Sequence, residues 1–476
     1  MAIVLTGRDL TLEDVVRISR RLEQVEVAEA AVERMRAARS VVEQAVESGQ
    51  AVYGITTGVG MRRDARVERD DVAAFNRATI TGHRVGVGPP AADDVVRASL
   101  VRLANGLVAG YQGARPELAQ LVVDALNHND LPEVRSLGTL GQADLAQNAD
   151  LAHGVLGEFR LEAGEAGALL ATNAFSTGQA ALAMADARTF LDVLDAAGAL
   201  DLEAFRGNLC ALHRSVAEAR PYPGVSETLE RLHGLLEGSA LWEPGAARFL
   251  QDPLTFRCLP QTHGAARDAL RFAEGQLAIE LNAHQGNPLV VPEEATIVSV
   301  GNFDCLPLAA ALDLLRIALA PVLTSAVERT LKLLSPRFSG LTEGLTEREG
   351  WEDGLSELGV TAQALVAEAR LLAQPVSFEL ASTMQESGVE DRTALASLGA
   401  RRLEEMLALG GRAVAIELAV AAQAVDLRGA TRLGSGVADM HAVVRTHVPF
   451  LRSGDSLPIP LEDLAAAVRT GLGIGH

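Results

Sequence analysis

Gly138-Thr139-Leu140-Gly141-Gln142-Ala143-Asp144-Leu145-Ala146 is the stretch on which the reading of this chain turns. It sits within a series of short motifs. Before it come Tyr53-Gly54-Ile55-Thr56-Thr57-Gly58-Val59-Gly60, His83-Arg84-Val85-Gly86-Val87-Gly88 and Gly110-Tyr111-Gln112-Gly113. After it come Arg220-Pro221-Tyr222-Pro223-Gly224 and Gln251-Asp252-Pro253-Leu254-Thr255-Phe256-Arg257-Cys258-Leu259-Pro260-Gln261. Farther on lie Glu280-Leu281-Asn282, Gly286-Asn287-Pro288, Gly301-Asn302-Phe303, Glu328-Arg329 and Glu390-Asp391. One glycine-rich motif carries little information. An ordered series of them carries much more.

Between the motifs the chain reads as helix. Residues 12–48 and 93–128 place apolar groups at helical spacing, the latter through Val96, Leu100, Leu103, Leu107, Leu118 and Leu121. Residues 264–283, 303–334, 356–373 and 392–427 predict further helices. In 303–334 apolar residues (Leu306, Leu308, Leu312, Leu314, Leu315, Ile317, Leu319) fall on more than one side. A helix apolar nearly all round is buried all round, at the centre of a bundle or in an oligomer interface. With 48% hydrophobic but only 4% aromatic residues, the core must be aliphatic. Strong helix formers are abundant and strand-favouring aromatics scarce, so the expected fold class is all-α. Pro and Gly at 221–224, 286–288 and 335–344 mark turns rather than domain seams.

Composition narrows the function. A net charge of -20 argues against a nucleic-acid partner. The three cysteines, Cys210, Cys258 and Cys305, show no paired spacing, as in a reducing compartment. Met1-Ala2-Ile3-Val4-Leu5-Thr6-Gly7-Arg8-Asp9 lacks the charged and apolar regions of a secretory signal. Charges interrupt every long apolar run, so no membrane span is expected. The expectation is a cytoplasmic protein. No His/Cys cluster has zinc-ligand spacing, so no metal is expected. Gly58-Val59-Gly60 and Gly86-Val87-Gly88 lack the third glycine of a dinucleotide loop.

The ordered motifs resemble the aromatic amino acid ammonia-lyase and aminomutase family (histidine, phenylalanine and tyrosine ammonia-lyases). There the signature loop reads Gly-Ser-x-Gly-Ala-Ser-Gly-Asp-Leu-Ala, and its Ala-Ser-Gly triad cyclises into the electrophile methylidene-imidazolone (MIO). Here Gln142 and Ala143 stand where three residues should be; counted back from Asp144 without a gap, Gly141, Gln142 and Ala143 fill the triad. Neither register supplies the central Ser or Cys that must dehydrate, so no MIO and no other cofactor is expected. The resemblance implies a long central helix bundle with a smaller N-terminal helical and loop region carrying the site. Residues 1–476 are then one unit, with Tyr53 and loop 138–146 in 1–200 and the central and C-terminal helices in 201–476. It also implies a homotetramer with active sites shared between chains.

The resemblance assigns roles residue by residue. Tyr53 matches the catalytic base, and a phenol needs a helpful environment for that task. His83 matches a residue that polarises the substrate, though a His capping a turn reads the same way. Arg257 matches the clamp on the substrate carboxylate, which suits a planar guanidinium fork; an ion pair with Asp252 is the rival. Asn287 and Phe303 match pocket-lining residues, with a structural Asn-Pro turn the rival for Asn287. Glu390 matches an acid near the substrate amine, and the first turn of the following helix is its other reading.

Departures from the family share a theme. Ala171 replaces an Asn, with Asn173 two residues away as a possible substitute, and Gly164 replaces a Lys. Leu254 replaces a Tyr, Asp304 a His, and Val389 a Gln. The segment between Gly157 and Leu161 is shorter than the family norm. Groups that form and polarise the electrophile are lost together, while the base and clamp remain. Ammonia leaves poorly without an electrophile. The sequence therefore predicts an MIO-independent lyase or isomerase acting on a small carboxylate, such as an amino acid derivative of specialised metabolism. The alternatives are a non-catalytic binding or scaffolding paralogue and a conventional ammonia-lyase.

Overall fold

Thr11 opens the first helix. Its hydroxyl accepts from the Asp14 amide at 3.1 Å, and the Asp14 carboxylate accepts from the Thr11 amide at 3.2 Å. This reciprocal cap satisfies two N–H groups that a helix start leaves orphaned. The computed structural model describes residues 2–378, 388–429, 432–455 and 461–473. The single long helix expected over 12–48 does not form. Leu12–Arg20 ends, Leu22 takes a left-handed φ of 56°, and Val25–Val27 pairs in parallel with Ile3–Leu5 before Glu29–Ser48 resumes the helix. Val25-Glu26-Val27 alternates with the two-residue period of a strand, and that local signal prevails. Residues 93–128 likewise divide, into Asp93–Val108 and Pro116–His128. Gly110 and Gly113 both adopt positive φ there. A Cβ on Gly113 would lie 2.4 Å from Val42, so only glycine fits this turn.

The remaining expected helices appear as Leu259–Asn282, Leu306–Leu334, Ser356–Leu371 and Ala396–Arg428. A further long helix, Ala174–Phe205, went unread in the sequence because its small apolar residues lie on every side. The protein is mostly helical, as the all-α expectation held. Leu306–Leu334 and Ala396–Arg428 do reach the length and apolar composition of a membrane span, contrary to the expectation. More than half of the most apolar stretch of each is packed inside the protein, as in core helices.

Contacts group into two compact units. The first comprises Met1–Ala185, Ala273–Asp313 and Pro375–Arg401. It holds the N-terminal helices and three two-stranded pairings, the second and third being antiparallel: Val87–Pro90 with Arg135–Leu137, and Leu289–Val291 with Thr296–Val298. Part of its core is a cluster of Ala38, Val41, Val42, Ala45, Val52, Ile55, Ala163 and Val290, packed beside the Tyr53 loop.

The second unit comprises Asp186–Phe272, Leu314–Gln374 and Arg402–His476. At its centre Arg329, from Leu306–Leu334, meets acids from two other long helices. Its Nε donates to Asp201 at 2.6 Å and its Nη2 to Glu417 at 2.7 Å, with all three side chains fully buried. The Glu328-Arg329 motif thus builds the core of this unit. Burial, and next the adjacent Glu417 carboxylate, push the Asp201 carboxyl well above the usual range, against the pull of Arg329.

Candidate active site

The altered loop is held from three directions. Thr139 bridges its two ends, donating to Asp144 at 2.8 Å while accepting from the Gly141 amide at 3.0 Å. The Leu140 carbonyl accepts from the amides of Ala394 and Leu395, at 3.1 and 2.9 Å. Gly141 lies so close to that second segment that a Cβ would sit 2.8 Å from the Leu395 nitrogen, and its φ is +81°. Only glycine serves at this position. Gln142 then pairs through its backbone with Asp304, which precedes Leu306–Leu334. Ala143, though not glycine, takes a left-handed φ of 61° and is buried.

Two buried side chains fix the Gly141 carbonyl. The Asn173 amide donates to it at 3.0 Å and the Cys305 thiol at 3.2 Å; Asn173 also donates to the Cys305 sulfur at 3.3 Å. Burial, followed by the negative charges of Asp144, Glu280 and Asp304, pushes the Cys305 thiol well above its ordinary range, so it keeps its proton and remains a donor. Asn173 was singled out in the sequence as the neighbour of the lost Asn, and its amide lies on the loop. Cys305 was not, since no motif marks a lone thiol.

Behind the loop, Asp144 anchors the start of Leu145–Leu156. Its carboxylate accepts from the Ser176 amide at 2.7 Å, the Ser176 hydroxyl at 2.6 Å and Thr139. Burial raises its pKa, and these donors draw it partly back. Thr172 accepts at its carbonyl from the Asp144 amide and donates through its hydroxyl to Gln285, which donates in turn to Glu280 at 2.6 Å. Thr139, Thr172 and Gln285 are further residues that the motifs alone did not single out.

The sequence-derived candidates fall as follows. Tyr53, His83, Asn287, Phe303 and Glu390 belong to the first unit, and Arg257 to the second. The Tyr53 phenol oxygen accepts from the Gly60 amide at 3.0 Å across its glycine-rich turn. His83 caps Val72–Gly82, its Nδ1 2.6 Å from the Thr79 carbonyl oxygen, which fits donation from Nδ1–H. Asn287 accepts from the Val300 amide at 2.9 Å and the Ser299 hydroxyl at 3.3 Å, tying off the Leu289–Val298 hairpin. Phe303 is half-buried in the turn before Leu306–Leu334. Glu390 is half-buried and lies upstream of Ala396–Arg428, outside that helix's first turn. Arg257 ends the short helix Leu254–Arg257, and its Nε is buried without a hydrogen-bond partner among the described residues.

MIO does not fit the residues present. Its methylidene carbon arises by eliminating a side-chain hydroxyl or thiol from the central residue, and Gln142 carries neither. Gly164 in place of the family Lys has a structural counterpart: its φ is +84°, and a Cβ would press on Ile55 at 3.1 Å.

Comparison with known proteins places this arrangement. The aromatic amino acid lyase family model matches residues 10–161 and 156–446. Histidine ammonia-lyase of Alkaliphilus oremlandii is 34% identical, over 98% of this chain and 97% of its own length. That of Deinococcus radiodurans is also 34% identical, over 94% and 90%. Among solved structures, the ergothioneine-degrading enzyme ergothionase of Treponema denticola, in complex with desmethyl-ergothioneine sulfonic acid, superposes with a TM-score of 0.95 at 26% identity, covering 100% of both chains. Tyrosine aminomutase of Streptomyces globisporus gives 0.92 at 26% identity, over 99% and 97%. With motifs, helices and relatives in agreement along nearly its whole length, this chain belongs to the aromatic amino acid lyase family.

Proposed function

We propose that this chain is a lyase- or isomerase-type enzyme that acts on a small carboxylate by acid–base steps, without MIO. The observation that carries the reading is the altered loop, in which Gln142 offers no electrophile while Tyr53 and Arg257 persist. An elimination that needs no electrophile requires a substrate with its own leaving group. Tyr53 removes the β-proton; the C–H electron pair becomes the Cα=Cβ double bond; the Cα–N bond breaks and its pair departs with the amine. Arg257 holds the carboxylate, Glu390 faces the nitrogen substituent, and His83 polarises the substrate. Phe303 and Asn287 line the pocket.

Likeness to ergothionase supports a specific substrate class. Ergothioneine is a betaine, and its quaternary ammonium leaves as neutral trimethylamine with no prior activation. The test is proton NMR in D2O with ergothioneine, histidine, tyrosine and their unsaturated products. Release of trimethylamine, or β-exchange, supports the reading. Silence from folded protein overturns it in favour of a non-catalytic scaffolding paralogue. Arg257→Ala is expected to weaken binding of a carboxylate ligand by at least about tenfold, since it removes a charge-assisted bidentate contact. Unchanged affinity by calorimetry would remove the clamp assignment.

We place the enzyme in the cytoplasm as a homotetramer, within specialised metabolism. Exposed Leu314 and Ile317 on the middle of Leu306–Leu334, and Phe272, form apolar surface that association would cover. Light scattering should give a mass near four times the 50.1 kDa of one chain; a monomer would contradict the assembly.

A further inference from the structure

Three arginines of the second unit gather where two long helices end, and none of them pairs with a carboxylate among the described residues. Arg206 follows Ala174–Phe205, and its Nε and Nη2 donate to the Ala246 carbonyl at 3.1 and 2.9 Å. Arg428 closes Ala396–Arg428, and its Nε donates to the Ala204 carbonyl. Arg248 joins them from a loop, its amide donating to the Arg206 carbonyl at 2.8 Å. Arg248 Nη1 and Arg428 Nη2 then converge on one oxygen, the Ser339 carbonyl, at 2.9 and 2.6 Å. Carbonyls at helix C-termini carry partial negative charge, which accounts for each arginine singly. It does not balance three full charges in one place, and this chain has acids to spare, 62 against 42 Lys and Arg. The backbone also makes way for these side chains. Arg206 holds a left-handed φ of 56°, where a helix end usually places glycine. Gly340 has a φ of +68°, and a Cβ there would lie 1.8 Å from Arg248 Nη1 and displace the guanidinium.

We propose that Arg206, Arg248 and Arg428 form a binding site for a small oxyanion of the phosphate class, using none of the residues assigned to catalysis. Donors for it are at hand. Nη1 of Arg206, Nε and Nη2 of Arg248, and Nη1 of Arg428 donate to no described residue. Arg206 and Arg248 are exposed and Arg428 is half-buried, so an ion can reach them from solvent. Burial, and then the charges of Arg248 and Arg206, bring the Arg428 guanidinium down to about 10. It stays charged at neutral pH, so the repulsion among the three persists until a counter-ion relieves it. A tetrahedral dianion presents several oxygens to planar guanidinium forks, which a halide cannot do. Inorganic phosphate and a phosphate ester share that chemistry. Once bound, the ion ties the ends of Ala174–Phe205 and Ala396–Arg428 to the loop that carries Arg248, and stabilises the folded chain.

The test is calorimetry and thermal unfolding of the full chain in chloride buffer of fixed ionic strength, with inorganic phosphate and, separately, adenosine monophosphate. Wild type should bind phosphate saturably with a Kd of about 1 mM or tighter, and its melting temperature should rise with phosphate as linkage requires. Arg206→Gly is the decisive variant, because glycine suits the left-handed backbone. Its melting temperature without phosphate should match or exceed that of wild type, while its phosphate affinity falls by about tenfold or more. Arg248→Gln, which keeps a donor but not the charge, should lose as much affinity. Tighter binding of the nucleotide than of phosphate would identify an ester as the source; equal or weaker binding would identify the free ion. If neither compound binds wild type saturably, or either variant binds phosphate as wild type does, the three arginines only cap carbonyls and the proposal falls.

Discussion

Tyr53→Phe is expected to lower kcat by about 100- to 10,000-fold, the range typical of removing a positioned general base. The substitution keeps the ring and deletes only the oxygen. That oxygen accepts from the Gly60 amide at 3.0 Å, so its position is set by the backbone of its own turn. An N–H aimed at the oxygen stabilises negative charge that develops there during catalysis. Because Phe preserves the packing, affinity for a carboxylate ligand should stay within a few-fold of wild type, separating chemistry from binding. Loss of β-deuterium exchange in D2O is the direct readout. Unchanged exchange would place the base on another residue.

The largest effect on stability is expected at Arg329→Leu, about 3–5 kcal/mol by chemical denaturation. The substitution leaves Asp201 and Glu417 facing one another, fully buried, with no cation between them. The deficit should also depend on pH, and its sign follows from Asp201. The folded pKa of that group already lies above its unfolded value, so its contribution is fully present below the ordinary Asp range and declines as pH rises through the folded value. Removing Arg329 takes away the cation that draws the Asp201 carboxyl down, and so raises it further. The variant should therefore lie closest to wild type at about pH 5 and fall farther behind by about pH 8. A deficit that is small, or constant across that range, would show that the ion cluster does not hold the three helices.

The family and its helical class were legible because motifs and helical spacing survive in one dimension. What was missed has physical causes. Periodicity finds a helix by the contrast between its faces, so Ala174–Phe205, buried along most of its length with only a short polar strip at Asp186, Arg188, Thr189 and Asp192, left little trace. The interruption at Leu22 has neither Gly nor Pro to announce it, and the only sign was the two-residue alternation Val25-Glu26-Val27. At the altered loop, the missing Ser was plain in the sequence. Its consequence was not: Cys305 and Asn173 reach Gly141 from distant parts of the chain, and only folding brings those donors together.

Ala174–Phe205 also implies how this protein can change over evolutionary time. Ala180, Ala181, Ala183, Ala187, Ala196, Ala197 and Ala199 along it are almost wholly buried. Each is the smallest side chain that a helix readily accepts, and each meets neighbours that already fill the space. Drift there can go only towards larger residues, which overpack, or to glycine, which weakens the helix. The least distinctive letters of the sequence should thus be among its most resistant to replacement, while loops that carry the chemistry retain freedom to explore. A scaffold of that kind can lose one reaction and acquire another without losing its shape.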